Sequence, residues 1–152
     1  MYQYILKKRK MQKKKGIIMK SSQYDKGIKK RKKVLGIKYV NKTIKNKNIF
    51  NEDFQNYIII NCWDKVWNNK FLSDKQKSFN TLCILAATNK WEEFKLHLEG
   101  ALNNNCNLNE LKELFLQISL YCGVPTGNEC FKHSLSFFKE KKINIYKEMK
   151  ES

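Results

Sequence analysis

Four times after residue 50, a Ser, Asn or Thr stands three residues ahead of a Gln or Glu. The pairs are Ser73 with Gln76, Asn89 with Glu92, Asn107 with Glu110, and Thr126 with Glu129. This is the spacing of a capping box, in which the two residues satisfy each other's free backbone N–H groups at a helix start. Each pair opens a run with apolar residues three and four apart, such as "DKQKSFNTLCILAA" and "LNELKELFLQISLYC". Further upstream, Asn51 can cap a helix whose first turn holds Glu52 and Asp53 and whose apolar positions are Phe54, Tyr57, Ile58, Trp63, Val66 and Trp67. Residues 50–150 therefore read as about five helices with short connections, and no run alternates like a strand. The expected fold class is all-α, a compact bundle with neighbouring helices antiparallel. Pro125 is expected just ahead of the last helix, and Gly123 marks a sharp corner. Leu114, Leu116, Phe137 and Phe138 widen the apolar faces beyond one narrow stripe, which points to a homo-oligomer.

The net charge of +17 suggests nucleic acid until its distribution is examined. Residues 1–48 hold 18 Lys and Arg against the single acid Asp25, whereas the rest of the chain holds 13 Lys and 13 acids. The basic character belongs to the N-terminal third, and the remainder has no net electrostatic pull toward phosphate. Three segments follow. Residues 1–20 form a basic extension expected to be disordered, with Met19 a sensible alternative start. Residues 21–48 form a basic arm, and residues 49–152 the helical domain. An RNA or anionic-surface contact is expected, if anywhere, from the extension. Lys, Asn and Ile are abundant throughout. Such a drift tends to replace a site's Arg by Lys and a turn's Gly by Asn.

No apolar run reaches the length of a membrane-spanning helix, and no secretory signal is visible. Cys62, Cys83, Cys106, Cys122 and Cys130 include no CxxC pair. Reduced thiols in a cytoplasmic protein fit this better than a disulfide framework, with Cys83 and Cys122 expected as small buried residues. Gly-rich phosphate loops, GxSxG and HExxH are absent. With two histidines, His97 and His133, a histidine metal site is improbable, and no metal or cofactor is expected. His133 is expected to be exposed or at an interface.

His97 is the more informative of the two. It follows Glu93 by four residues, so both side chains share one helix face among Phe94, Leu98, Ala101 and Leu102. By its residues alone it is either a satisfied core histidine or a proton donor held in a dry pocket.

The stretch "LAATNKWEEFKLHLEGALNNNCNLNELKELFLQISLYCGVP" resembles the carboxymuconolactone decarboxylase family, through E-E-F-x-L-H, the small-residue "GALNN", "ELKELFLQ" and "YCGVP". The likeness continues upstream in "FNEDFQNYIIINCWDKVW" and in the paired-basic V-L-G element of "GIKKRKKVLGIKYV". It spans about Asp25 to Lys139. Thiol peroxidases of the wider superfamily carry CxxC ahead of the histidine. Aligned on His97, those two positions are Lys90 and Glu93, which excludes a dithiol mechanism there.

The resemblance implies a cofactor-free reaction, in which 4-carboxymuconolactone loses CO2 to give 3-oxoadipate enol-lactone in protocatechuate breakdown. It implies a ring-like homo-oligomer, commonly a hexamer, and a small dicarboxylate lactone as the partner. His97 becomes the expected proton donor, with Glu93 orienting it or keeping it charged. Lys77 stands where the family carries Arg and is the expected carboxylate anchor. Lys70 neighbours Asn69, another family Arg position, and is a second candidate cation. Tyr121, Trp63 and Trp67 are candidate pocket walls, and Asn128 a candidate donor to substrate. Two other readings are a non-catalytic helical oligomer that binds through its basic arm and a decarboxylase of a related carboxylated lactone.

Overall fold

The computed structural model describes residue 11 and residues 22–150. The disorder expected for residues 1–20 concerns a segment that, Met11 apart, lies outside the described residues. Helix α1 covers 22–35. After Gly36 come α2 (Ile37–Lys45) and α3 (Glu52–Tyr57), the latter running on as a π-helix over Ile58–Val66. Then follow α4 (Asp74–Ala87), α5 (Trp91–Asn103), α6 (Leu108–Cys122), α7 (Val124–Glu140) and the short α8 (Ile145–Glu148). Among the described residues there is no strand, so the all-α expectation holds. Nor is any helix among them long and apolar enough to cross a membrane.

The chain divides into two compact units. The first takes the described residues up to Lys33 and then Ile37–Lys70; the second takes Val34–Gly36 and everything described from Phe71.

In the first unit, α1 meets the π-helix where Gly27 lies against Ile59; a Cβ on Gly27 would run into the Ile59 carbonyl. The sequence suggests an ordinary helix through Trp67, but the backbone widens, and the Trp67 N–H donates to the Cys62 carbonyl five residues back, at 2.9 Å. On this wider turn Ile59, Trp63 and Trp67 are buried, whereas Phe54, Tyr57 and Val66, also expected on the apolar face, are exposed. Asn51 does precede α3, but its side chain makes no cap bond to that helix. Instead its Oδ1 accepts from the Asn48 N–H at 2.9 Å, closing the turn before the helix.

The second unit is a bundle of α4 to α7 around Leu82, Ala86, Phe94, Leu98, Ala101, Leu111, Phe115, Ile118, Cys130, Phe137 and Phe138. Burying a side chain such as Phe94 completely stabilises by about 1.5–3 kcal/mol. Phe94 and Phe115 tie α5 to α6 with ring centroids 5.8 Å apart, and Phe115 meets Phe131 of α7 edge-on at 5.5 Å. Helices α6 and α7 approach closely at Gly127, where any Cβ would overlap the Ser119 side chain. The wide apolar faces are accounted for in part: Phe137 and Phe138 are both buried, Leu114 packs on the core, and Leu116 remains 55 % exposed.

Two of the four capping pairs form complete boxes, Ser73–Gln76 and Asn107–Glu110. The other two do not. Asn89 sits at φ 56°, with its N–H on the Ala86 carbonyl and that of Lys90 on the Leu85 carbonyl. That is a Schellman closure of α4, so Asn89 ends one helix rather than starting the next. Asn105 (φ 63°) and Lys142 (φ 56°) close α5 and α7 with the same paired bonds. Asn105 thus fills a turn suited to glycine, as expected. Helix α7 starts earlier than expected, with Gly123 (φ 93°) as its N-cap and Pro125 inside the first turn, where a missing N–H costs nothing. Thr126, the expected cap, instead donates its hydroxyl to the Cys122 carbonyl at 3.0 Å.

Candidate functional site

In the second unit, α5 carries both expected catalytic residues. Glu93 lies in its first turn and is exposed; His97, one turn on, is half-buried. The buried face of the same helix is Phe94, Leu98, Gly100 and Ala101. His97 therefore sits at the margin of the core, with an apolar floor on one side and Glu93 toward solvent. An imidazole so placed can pass a proton between a bound molecule and water.

Lys77 lies in the first turn of α4 and is only 8 % exposed. Burial of a lysine ammonium is rare unless it is paired or used. Its neighbour Ser78 is buried, donates to the Asp74 carbonyl at 3.0 Å and accepts from Asn104 Nδ2 at 3.0 Å. That network joins α4 to the turn after α5, so the backbone carrying Lys77 is fixed. Tyr121, at the end of α6, is 78 % exposed, and Asn128 on α7 is exposed too. Neither forms part of a described enclosure in this unit.

Trp67 and Lys70 belong to the first unit. Trp67 is buried and stacks on Trp63, centroids 5.1 Å apart and planes 25° from parallel. Lys70 is exposed.

The thiols are all free. Burial raises the Cys106 thiol to about 11 and that of Cys130 to about 12. Contrary to expectation Cys122 is exposed and Cys83 only half-buried: Cys122 ends its helix, where packing stops. Among the described residues, no group of three His, Cys, Asp or Glu side chains can hold a metal ion.

Two arrangements escaped the sequence reading. His133, expected to be exposed or at an interface, is stacked on Trp91 and stands 3.3 Å from Glu129 Oε2. Arg31 is 6 % exposed inside the first unit. Its sequence signal was its identity: it is one of only two Arg, with Arg9, in a chain of 31 basic residues.

The Carboxymuconolactone decarboxylase family model matches residues 52–132. The 4-carboxymuconolactone decarboxylase of Acinetobacter baylyi is 38 % identical over 117 residues, covering 77 % of this chain and 87 % of the relative. A nitrosuccinic acid decarboxylase of Metarhizium robertsii is 38 % identical over 103 residues, covering 68 % and 72 %. The two names support a carboxy-lyase activity for this protein. A family match over more than half its length and a relative aligned over most of both chains make this protein a member of the carboxymuconolactone decarboxylase family.

Proposed function

We propose that this protein decarboxylates 4-carboxymuconolactone to 3-oxoadipate enol-lactone without a cofactor. The observation that carries this reading is the 38 % identity maintained over 87 % of a relative named for that reaction. The half-buried His97 with Glu93 one turn away supplies the chemistry it needs.

The leaving carboxylate is on a ring carbon next to a C=C conjugated with the lactone carbonyl. When its C–C bond breaks, CO2 departs and the electron pair flows through the double bond onto the carbonyl oxygen. The substrate is its own electron sink. The resulting dienolate takes a proton at the carbon beside the carbonyl, giving the enol-lactone. In this reading His97 donates that proton, and Glu93 holds the imidazole in orientation and restores its charge. Lys77 holds the carboxylate that is retained. Lys70, Trp67, Tyr121 and Asn128 are assigned to substrate binding. A homo-oligomer, a hexamer by family likeness, and a cytoplasmic setting with reduced thiols belong to the same proposal.

The test is CO2 release from enzymatically generated 4-carboxymuconolactone by the purified full chain. Replacing His97 by Gln should lower kcat by about 10²–10⁴-fold, the usual contribution of a general acid, while the helical circular dichroism stays unchanged. Full activity in a folded His97→Gln protein refutes the assignment of the acid. The second relative's name favours one alternative, a related small carboxylated substrate. Turnover of nitrosuccinate with none of the lactone would select it.

A further inference from the structure

Arg31 is a buried cation whose described surroundings do not balance it. Its Nη1 donates to Gln55 Oε1 at 3.2 Å. Its Nε is buried and makes no hydrogen bond. Among the described residues no carboxylate ion-pairs with it. A guanidinium has five N–H donors and never loses its charge at ordinary pH. Removing it from water without an anion is unfavourable enough that buried charges are normally paired.

The neighbourhood makes this imbalance larger. Residues 22–35 carry six basic side chains and one acid, Asp25. Arg31 acts on Cys62, where its positive charge opposes the upward push of burial on the thiol. Cys62 lies in the π-helix, whose last bond joins Trp67 back to it. Wide helical turns of this kind are rare and occur most often at functional sites. Three elements of the first unit thus meet at one guanidinium: α1 through Arg31, α3 through Gln55 and the π-helix through Cys62.

We propose that Arg31, with Gln55 beside it, is the receptor for one carboxylate group of a small organic acid. Gln55 occupies Nη1. The side edge formed by Nε and Nη2 is the fork that grips both oxygens of a carboxylate. One guanidinium balances the single charge of a carboxylate and only about half that of a phosphate dianion. The residue type fits too, because lysine has one charge but no fork, and in this Lys-rich chain position 31 is Arg. The carboxylate class rests on the decarboxylase reading above, whereas the need for an anion rests on Arg31 alone.

The experiment is calorimetric titration of the full chain with succinate, an unreactive dicarboxylate, and with inorganic phosphate. Succinate should bind the unaltered chain. Affinity should fall at least about tenfold in Arg31→Gln, the scale of one lost charged hydrogen-bonded contact, and also in Arg31→Lys, which keeps the buried charge and loses the fork. If Arg31→Gln does not fold, Arg31→Lys decides. Equal succinate affinity in the folded Lys variant overturns the proposal. So does an unaltered chain that ignores succinate, or one that takes phosphate as tightly. A chain that binds succinate through Arg31 yet never turns over the lactone sinks the proposed reaction and leaves this site standing. Turnover with an unchanged KM and unchanged succinate binding in Arg31→Lys does the reverse.

Discussion

Trp91 and His133 lie face to face, ring centroids 5.0 Å apart and planes within 8° of parallel, at the contact between the start of α5 and the middle of α7. Glu129, one turn before His133, stands 3.3 Å from its Nε2 and also holds Lys132 at 3.1 Å. The imidazole is thus gripped on its face and its edge. A role in holding α5 against α7 follows, and it separates the two histidines. His133→Ala and Trp91→Ala should each destabilise the fold, with a coupling of about 0.5–1.5 kcal/mol in a double-mutant cycle. Decarboxylation per folded molecule should survive His133→Ala, in contrast to His97→Gln. Denaturant melts of the four proteins, with activity assays on the folded ones, check both points.

Lys77 yields a split between binding and chemistry. If it anchors a carboxylate that is present in substrate and transition state alike, Lys77→Gln raises KM about tenfold or more and leaves kcat nearly unchanged. Lys77→Arg should restore most of the loss. A fall in kcat at constant KM would place Lys77 in the proton or electron path instead.

The α6–α7 contact is sensitive to a single methyl group. A Cβ at Gly127 meets the Ser119 side chain and presses toward its backbone, so repacking one rotamer does not make room. Gly127→Ala should therefore cost about 1–3 kcal/mol, as overpacking does, despite alanine's better helix propensity. A stable or stabilised variant by thermal denaturation would show that the helices can separate without penalty.

The five thiols should react in an order set by exposure and burial. Cys122 is exposed and should be labelled first at pH 8. Cys106 and Cys130, pushed up to about 11 and about 12, hold almost no thiolate there and should stay unmodified until the protein unfolds. Peptide mapping after timed alkylation reads the order directly.

Acid stability has one identifiable contributor. Lys75 bonds Glu110 at 2.6 Å and, with the backbone N–H of Asn107, holds its carboxyl below the usual range. A carboxyl lowered in the folded state stabilises fully above its unfolded value, about 4.3, and that contribution is lost as pH falls through the folded value. The pair is a third exposed, so the effect is modest. Glu110→Gln should lower Tm at pH 7 and shrink the Tm difference between pH 7 and pH 3. An unchanged difference would mean that other carboxylates govern acid unfolding.

What was legible in the sequence follows from how local each signal is. Ser73–Gln76 and Asn107–Glu110 satisfy their bonds within four residues, and both boxes are present. Asn89 was misread because asparagine serves equally at a helix start and in the left-handed turn that ends one. Which applies depends on whether the preceding helix needs closing. The widened turn of Ile58–Val66 left no trace, since residues four apart share a face in an ordinary helix as well. The Glu93–His97 spacing was evident from the sequence, but the burial of Lys77 and Arg31 was not. Burial depends on which distant helices come to cover a side chain, and a charged residue in a run of lysines gives no hint of it.

The wide turn at Ile58–Val66 has a consequence for how this chain can change length. A helix bonded five residues back instead of four holds one residue more than an ordinary helix needs to cover the same span. Removing one residue there would let the segment tighten to ordinary winding with its length nearly kept, while everything after it turns by roughly 100° about the axis, the rotation per residue of an α-helix. Trp67 would then leave its stack on Trp63, and the path of the chain toward Lys70 would be redirected. The segment is thus a reading frame in three dimensions, tolerant of point substitutions on its outer face and intolerant of a single deletion.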